Sequence, residues 1–339
     1  MSTDTKRSGP TRESKRSGPH VAAVRWMENL GETGFAYLLL TPVFVLLGAI
    51  AFYPLLRTFE MSLFQNVLGG GESEFVGLGN YVALFTGEAD ASLPGSTTFL
   101  PSVETSSSFP FVHVEGWLRS ALIVTLVFTV VSVFFETIIG FGQALVLDRE
   151  FPGRRWVRVA IIIPWAIPIV IQGMIFYLMF HDRTGFLTEY LANFGIVAAE
   201  NTFNDPGSSL LIIMVADIWK TSAFMALLIL AGLQSIDRNL YDVARVAGAS
   251  RWQRFKRITF PLILPTLGVA ILFRTIDAMR VYGLIDSTSG CTTVPSLSCM
   301  VVETFNDTRG LASAIAFVTA GLIAIAVMGI IYQQYREGF

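Results

Sequence analysis

The chain has 339 residues, of which 53% are hydrophobic and only 15% charged, and its net charge is −2. With a mean hydropathy of +0.57 it is not an ordinary soluble domain. Its length would admit two soluble domains, but the apolar runs are too long and too regularly spaced for that reading.

The chain opens with a polar stretch that contains a direct repeat, Lys6-Arg7-Ser8-Gly9-Pro10 and Lys15-Arg16-Ser17-Gly18-Pro19. Such a stretch cannot bury enough surface to order itself. Residues 1–33 are therefore expected to form a disordered basic tail in the cytoplasm, followed by an interfacial segment around Arg25, Trp26, Met27 and Leu30. No apolar core follows the basic residues closely, which argues against a cleavable signal peptide.

Residues 34–339 read as one membrane domain. A crossing needs about 20 apolar residues, and six runs meet that length: Phe35–Leu55, Leu118–Leu147, Trp156–Phe180, Leu210–Leu233, Phe260–Val281 and Leu311–Tyr332. The expected fold is an all-α membrane protein of six transmembrane helices. Pro42, Pro164, Pro168 and Pro265 interrupt these runs, which membrane helices tolerate where neighbours re-satisfy the backbone.

Lysine and arginine set the orientation. They crowd the tail, the 148–158 loop and the 235–258 loop, whereas Arg57, Arg183 and Arg309 stand alone in the loops between. Positive residues stay in the cytoplasm, so both termini and the 235–258 stretch are expected there, in the plasma membrane of a multi-pass protein. The last outside loop carries Cys291 and Cys299; on that face a disulfide is favoured over free thiols. Two cysteines without a nearby histidine make a poor metal site, and no metal is expected.

Polar residues inside the crossings are costly and usually face a bundle interior or a cavity. The fourth crossing places Asp217, Trp219 and Lys220 near its middle, and the fifth places Arg274 and Asp277. Asp217 and Lys220 are three apart, as are Arg274 and Asp277, so each pair shares a helix face and could neutralise itself. Glu136 and Gln143 lie in the second crossing and Gln172 in the third. Gln172, Asp217, Trp219, Lys220, Arg274 and Asp277 are therefore the candidate substrate path. Helix-locking ion pairs and simple packing of Trp219 are the competing reading.

Between the fourth and fifth crossings, residues 238–258 begin as a helix, turn at Gly248-Ala249-Ser250, and resume as a second helix with Arg251, Arg254, Lys256 and Arg257. Gly248 and Ala249 expose backbone that another protein could grip closely. The run Asp242-Val243-Ala244, three residues and then Gly248 resembles the coupling loop of importer-type ABC permeases, whose pattern is Glu-Ala-Ala, three residues, Gly, and about nine residues later Ile-x-Leu-Pro. Asp242 and Val243 depart from it mildly. Phe75-Val76-Gly77-Leu78-Gly79-Asn80-Tyr81 and Pro164-Trp165-Ala166-Ile167-Pro168 resemble segments of the sugar-type branch, which handles maltose and glycerol phosphate. The layout Asp277…Val301-Val302-Glu303-Thr304 is similar too, although Ser289-Gly290-Cys291 replaces the usual Gly-Gly-Pro.

The resemblance covers about residues 34–335. It implies the type I importer-permease fold and an ATPase-coupling role for Asp242, Ala244, Gly248, Ala249 and Arg251. It implies as partners a second homologous permease, two ATPase subunits that bind ATP and Mg, and an external sugar-binding protein. Trehalose is the substrate it suggests first. The chain itself has no G-x-x-x-x-G-K-[ST], H-E-x-x-H or nucleophile elbow, so no catalytic residue, no cofactor of its own and no nucleic-acid partner are expected. An ion-coupled secondary transporter is the alternative; it should show inverted repeats, and none is visible here.

Overall fold

The computed structural model describes residues 31–65, 73–95, 97–101, 114–198 and 200–336. The expected disordered tail, through residue 30, lies outside them. By packing the chain divides into two units, Met1–Thr58 and Phe59–Phe339.

In the first unit, α1 (Glu32–Leu47) is followed by a π turn over Gly48–Phe52 and by α2 (Tyr53–Ser62), which runs past the boundary. The π turn has an identifiable cause. Pro54 lacks an N–H and its ring would strike the carbonyl four residues back, Ile50, which lies within the widened turn.

The second unit continues with a two-stranded antiparallel ribbon, β1 (Phe64–Gln65) and β2 (Glu74–Phe75). Then come α3 (Gly79–Thr86), α4 (Val114–Leu118), α5 (Ala121–Asp148), α6 (Arg154–Ala166), α7 (Ile169–Met179), α8 (Thr188–Asn193) and α9 (Pro206–Gln234). They are followed by α10 (Arg238–Val246), α11 (Arg251–Arg254), a second π turn over Phe255–Thr259, α12 (Phe260–Ala278), α13 (Gly283–Thr288), α14 (Leu297–Phe305) and α15 (Arg309–Arg336). The second π turn again precedes a proline, with Arg257 four residues before Pro261.

Among the described residues, five helical stretches are long and apolar enough to cross a bilayer: Glu32–Ser62, Ala121–Asp148, Pro206–Gln234, Arg251–Ala278 and Arg309–Arg336. The third expected crossing, Trp156–Phe180, is instead the pair α6 and α7, bent by 94°. Ile167 is extended (φ −74°, ψ 130°), as a residue before proline prefers to be. Pro42 and Pro265 sit inside unbroken helices, so a proline alone does not decide the break.

Two of the long helices, α5 and α9, start on side-chain caps. Ser120 accepts from the Ile123 N–H ahead of α5, and Asp205 accepts from Ser208 at 2.7 Å ahead of α9, with Pro206 opening the helix. α5 and α9 pack closely because Gly140 has no side chain: a Cβ there would lie 2.6 Å from Met225 Cβ and 3.0 Å from the Ser222 carbonyl oxygen. Met225, Ile229 and Ile263 fill the core toward the α10 end, and Phe128, Ile212 and Ile285 fill it toward the other. Asn80 fixes the ribbon, donating to the Ser62 and Phe64 carbonyls at 2.8 and 3.1 Å, while the Tyr81 hydroxyl meets Ser62 Oγ at 2.7 Å. Cys291 and Cys299 are joined as a disulfide that ties the loop after α13 to α14.

Gly140→Leu forces α5 away from α9. It is expected to destabilise the protein by about 1–3 kcal/mol, read as a lower midpoint of thermal unfolding in detergent. An unchanged midpoint would show that the two helices separate freely.

Candidate functional site

Arg274 lies at the centre of the helix bundle and is only 2% exposed. It belongs to α12 and reaches three carboxylates on three helices. Its Nε and Nη2 hold Glu136 of α5 at 2.5 and 3.0 Å, its Nη1 holds Asp277 of α12 at 2.8 Å, and its Nη2 also bonds Asp217 of α9. Glu136 is fully buried. A guanidinium suits this position because it carries five N–H donors in a fixed planar fork, against three on an ammonium. The Arg274–Asp277 pair forms as the spacing suggests.

The expected Asp217–Lys220 pair does not form. Asp217 goes to Arg274, and the Lys220 ammonium donates to the Ile167 carbonyl at 2.7 Å. Helical spacing placed the two side chains on one face, but stronger partners arrive from neighbouring elements. The bend after α6 leaves the last carbonyls of that helix without successors, and a cation at a helix C-terminus is favoured. Gln172 of α7 is also buried, and its amide donates to the Ala216 carbonyl at 2.6 Å. Gln172, Asp217, Lys220 and Arg274 therefore hold helices to one another, while Asp277 keeps a largely exposed carboxylate.

Trp219 has a different setting. It is 41% exposed, packs on Phe176 with ring centroids 5.7 Å apart, and lines a cavity of about 710 Å³ together with Phe135, Ile139, Gln143, Pro164 and Ser222. Gln143 donates to Ser222 Oγ at 3.5 Å, and its Oε1 is buried without a partner among the described residues. An indole face, an amide and a hydroxyl thus meet in one space. Sequence reasoning noted Gln143 and Glu136 but gave neither a role. Their seven-residue spacing places both on one stripe of α5, which was the available signal.

The other candidate region follows α9. Asp237 caps α10, accepting from the Asn239 N–H at 2.9 Å. The helix ends in a Schellman turn: Gly248 N–H bonds the Arg245 carbonyl at 3.0 Å and Ala249 N–H bonds that of Ala244 at 2.9 Å. Gly248 has φ +79°, which is why a glycine stands there, and a Cβ would meet nothing within 4 Å. Ser250 and Gln253 then form a capping box that starts α11 at Arg251. Asp242 is exposed and pairs with Arg245 at 3.2 Å, while Val243 and Val246 are 70% and 91% exposed. Two links tie the region to the bundle. Arg238 holds Asp148 at the end of α5 with two bonds of 3.0 and 2.6 Å, which raise the guanidinium pKa above its usual range. Tyr241 and Thr259 meet through their hydroxyls at 3.0 Å.

Comparison with known proteins matches residues 136–337 to the family described as binding-protein-dependent transport system inner membrane component. The trehalose/maltose transport system permease protein MalF of Thermococcus litoralis is 35% identical over 297 residues, covering 86% of this chain and 90% of the relative. The trehalose transport system permease protein SugA of Mycobacterium tuberculosis is 32% identical, with 87% of each chain covered. The sulfoquinovosyl glycerol transport system permease protein SmoG of Agrobacterium fabrum is 36% identical, over 77% of this chain and 75% of the relative. Among solved structures, a bacterial ABC transporter for the acidic polysaccharide alginate contains a chain that superposes with a TM-score of 0.69 at 20% identity, over 93% of this chain and 100% of that one.

Arg274→Met removes the shared cation and leaves Glu136 and Asp217 facing each other in the bundle. It is expected to destabilise the protein by about 3–5 kcal/mol, with Arg274→Lys restoring only part of the loss. Thermal unfolding of the three proteins in one detergent measures this, and equal midpoints would deny the cluster its structural role.

Proposed function

The chain belongs to the family of binding-protein-dependent transport system inner membrane components, and on that premise we propose that it carries a neutral disaccharide, with trehalose first. It is the permease subunit of a sugar ABC importer and a multi-pass protein of the plasma membrane. One observation carries the choice of a neutral sugar. Arg274 and Lys220, the cations inside the bundle among the described residues, are bound to partners of their own chain, and the large cavity offers Trp219, Gln143 and Ser222. An anionic substrate would need a free cation there; a disaccharide needs a ring to stack on and groups for its hydroxyls.

In this reading a second, homologous permease faces the first, an external binding protein delivers the sugar, and two ATPase subunits bind and hydrolyse ATP with Mg. The termini and the Gly248 turn lie in the cytoplasm. ATPase closure pushes on α10, with Asp242, Ala244, Gly248, Ala249 and Arg251 at the contact. Arg238 and Tyr241 pass the push to α5 and the foot of α12. The two pathway arrangements then exchange population because ATP binds them unequally. Support for the contact comes from the exposed face of α10 and the side-chain-free turn beside it.

The test is uptake of radiolabelled trehalose, maltose and glycerol phosphate by the reconstituted transporter. Trehalose uptake should require ATP. Gly248→Asp, which puts a charged side chain into the open space of the turn, should abolish uptake while the subunits stay assembled. Uptake without ATP would hand the function to an ion-coupled transporter. Trp219→Ala should raise the sugar concentration for half-maximal uptake by about tenfold, the effect of losing one stacking contact. An unchanged concentration dependence would remove Trp219 from the path.

A further inference from the structure

A second cavity, of about 410 Å³, opens where the end of α5 meets α11, lined by Arg149, Tyr241, Arg251, Arg254, Phe255 and Thr259. Three arginines thus line one small space. Among the described residues none of the three forms an ion pair with an aspartate or glutamate. The adjacent carboxylate, Asp148, is held by Arg238 through both oxygens. Arg254 Nε is buried with no hydrogen-bond partner. Like charges this close repel, and a buried N–H without an acceptor keeps its desolvation penalty. An anion in the cavity would relieve both.

Depth in the membrane says which anion. Ala121–Asp148 and Arg251–Ala278 each run 28 residues, about 42 Å at 1.5 Å per residue, against a hydrocarbon core of about 30 Å. Their ends therefore reach the headgroup layer. Arg149 follows the last residue of the first stretch, and Arg251 and Arg254 lie in the first turn of the second. Trp252 on that turn is 68% exposed and stacks on Phe255 at 5.5 Å, the amphipathic ring expected at a membrane–water boundary. Tyr241 and Thr259, whose hydroxyls meet at the cavity wall, add neutral donors. Val243 and Val246 point outward elsewhere on α10, and of the five residues placed at the ATPase contact only Arg251 also lines the cavity.

We infer that this cavity binds the phosphodiester headgroup of an anionic phospholipid, which joins the foot of α5 to the foot of α12. The site is independent of which sugar is carried.

Native mass spectrometry of the full chain in detergent, titrated with phosphatidylglycerol, phosphatidylcholine or inorganic phosphate, reads the binding directly and needs no transport. Wild type should prefer phosphatidylglycerol over phosphatidylcholine by at least about tenfold, the effect expected of three arginines at a headgroup. Arg149→Gln with Arg254→Gln should lose that preference, while Arg257→Gln, on the same basic stretch but outside the cavity, should keep it. Arg149 is exposed, so Arg149→Gln alone carries the test if the double variant does not fold. Equal retention of the two lipids, or a preference untouched by Arg149→Gln, would overturn the inference. So would displacement of the lipid by millimolar phosphate, which points to a free anion, or by added ATPase subunits, which points to an acidic side chain of theirs.

Discussion

Burying one arginine among three carboxylates is the constraint on which the second unit depends. Arg274, Glu136 and Asp217 would each be expensive alone in an apolar bundle, and losing any one strands the others. Glu136 comes from α5, Asp217 from α9, and Arg274 with Asp277 from α12. The three helices are therefore fixed in relative height as well as in contact. Leucine against leucine would tolerate a slide of one turn; a fork of N–H donors aimed at set oxygens does not. Gly140 adds the steric half of the same lock by bringing α5 against the backbone of α9.

The third crossing shows how polar groups and prolines work together. Pro164 and Pro168 flank Ile167, and the chain turns there by 94°. A break inside a membrane frees carbonyls that have no water to bond. Lys220 supplies the missing donor to Ile167, and Gln172, in the first turn and a half after the break, reaches the Ala216 carbonyl of α9. α9 is thus the strut that the bent pair leans on. Elsewhere a proline is absorbed differently, by a π turn just ahead of Pro54 and of Pro261.

Between the fourth and fifth crossings the chain makes a short helix that is exposed yet firmly based. Its outward side shows Val243 and Val246, and its end is a Schellman turn that only a residue free to take φ +79° closes easily. Its base is held by Arg238 on α5 and by Tyr241 on Thr259. A load on such a helix passes to two crossings at once. The same geometry leaves Arg149, Arg251 and Arg254 around one cavity, where their charge needs an outside anion.

Composition and the spacing of apolar runs determined the class of the protein and the positions of five crossings, with the bent pair α6 and α7 at the place of the sixth. The bilayer thickness sets the run a crossing needs, and whether a run meets it depends on length and hydropathy alone. Gly248 was legible because a helix, a glycine and a capping serine are local signals, and so was Arg274–Asp277, which lies within one helix turn. The choice of partner for Asp217 was not legible. Neighbours at i and i+3 can be read along a chain, but Arg274 comes from 57 residues away and Glu136 from farther still. Nor could spacing show that Lys220 serves a broken helix, or that Trp219 faces a cavity while Gln172 is sealed. Those facts depend on which helices pack together, and only the tertiary structure decided them.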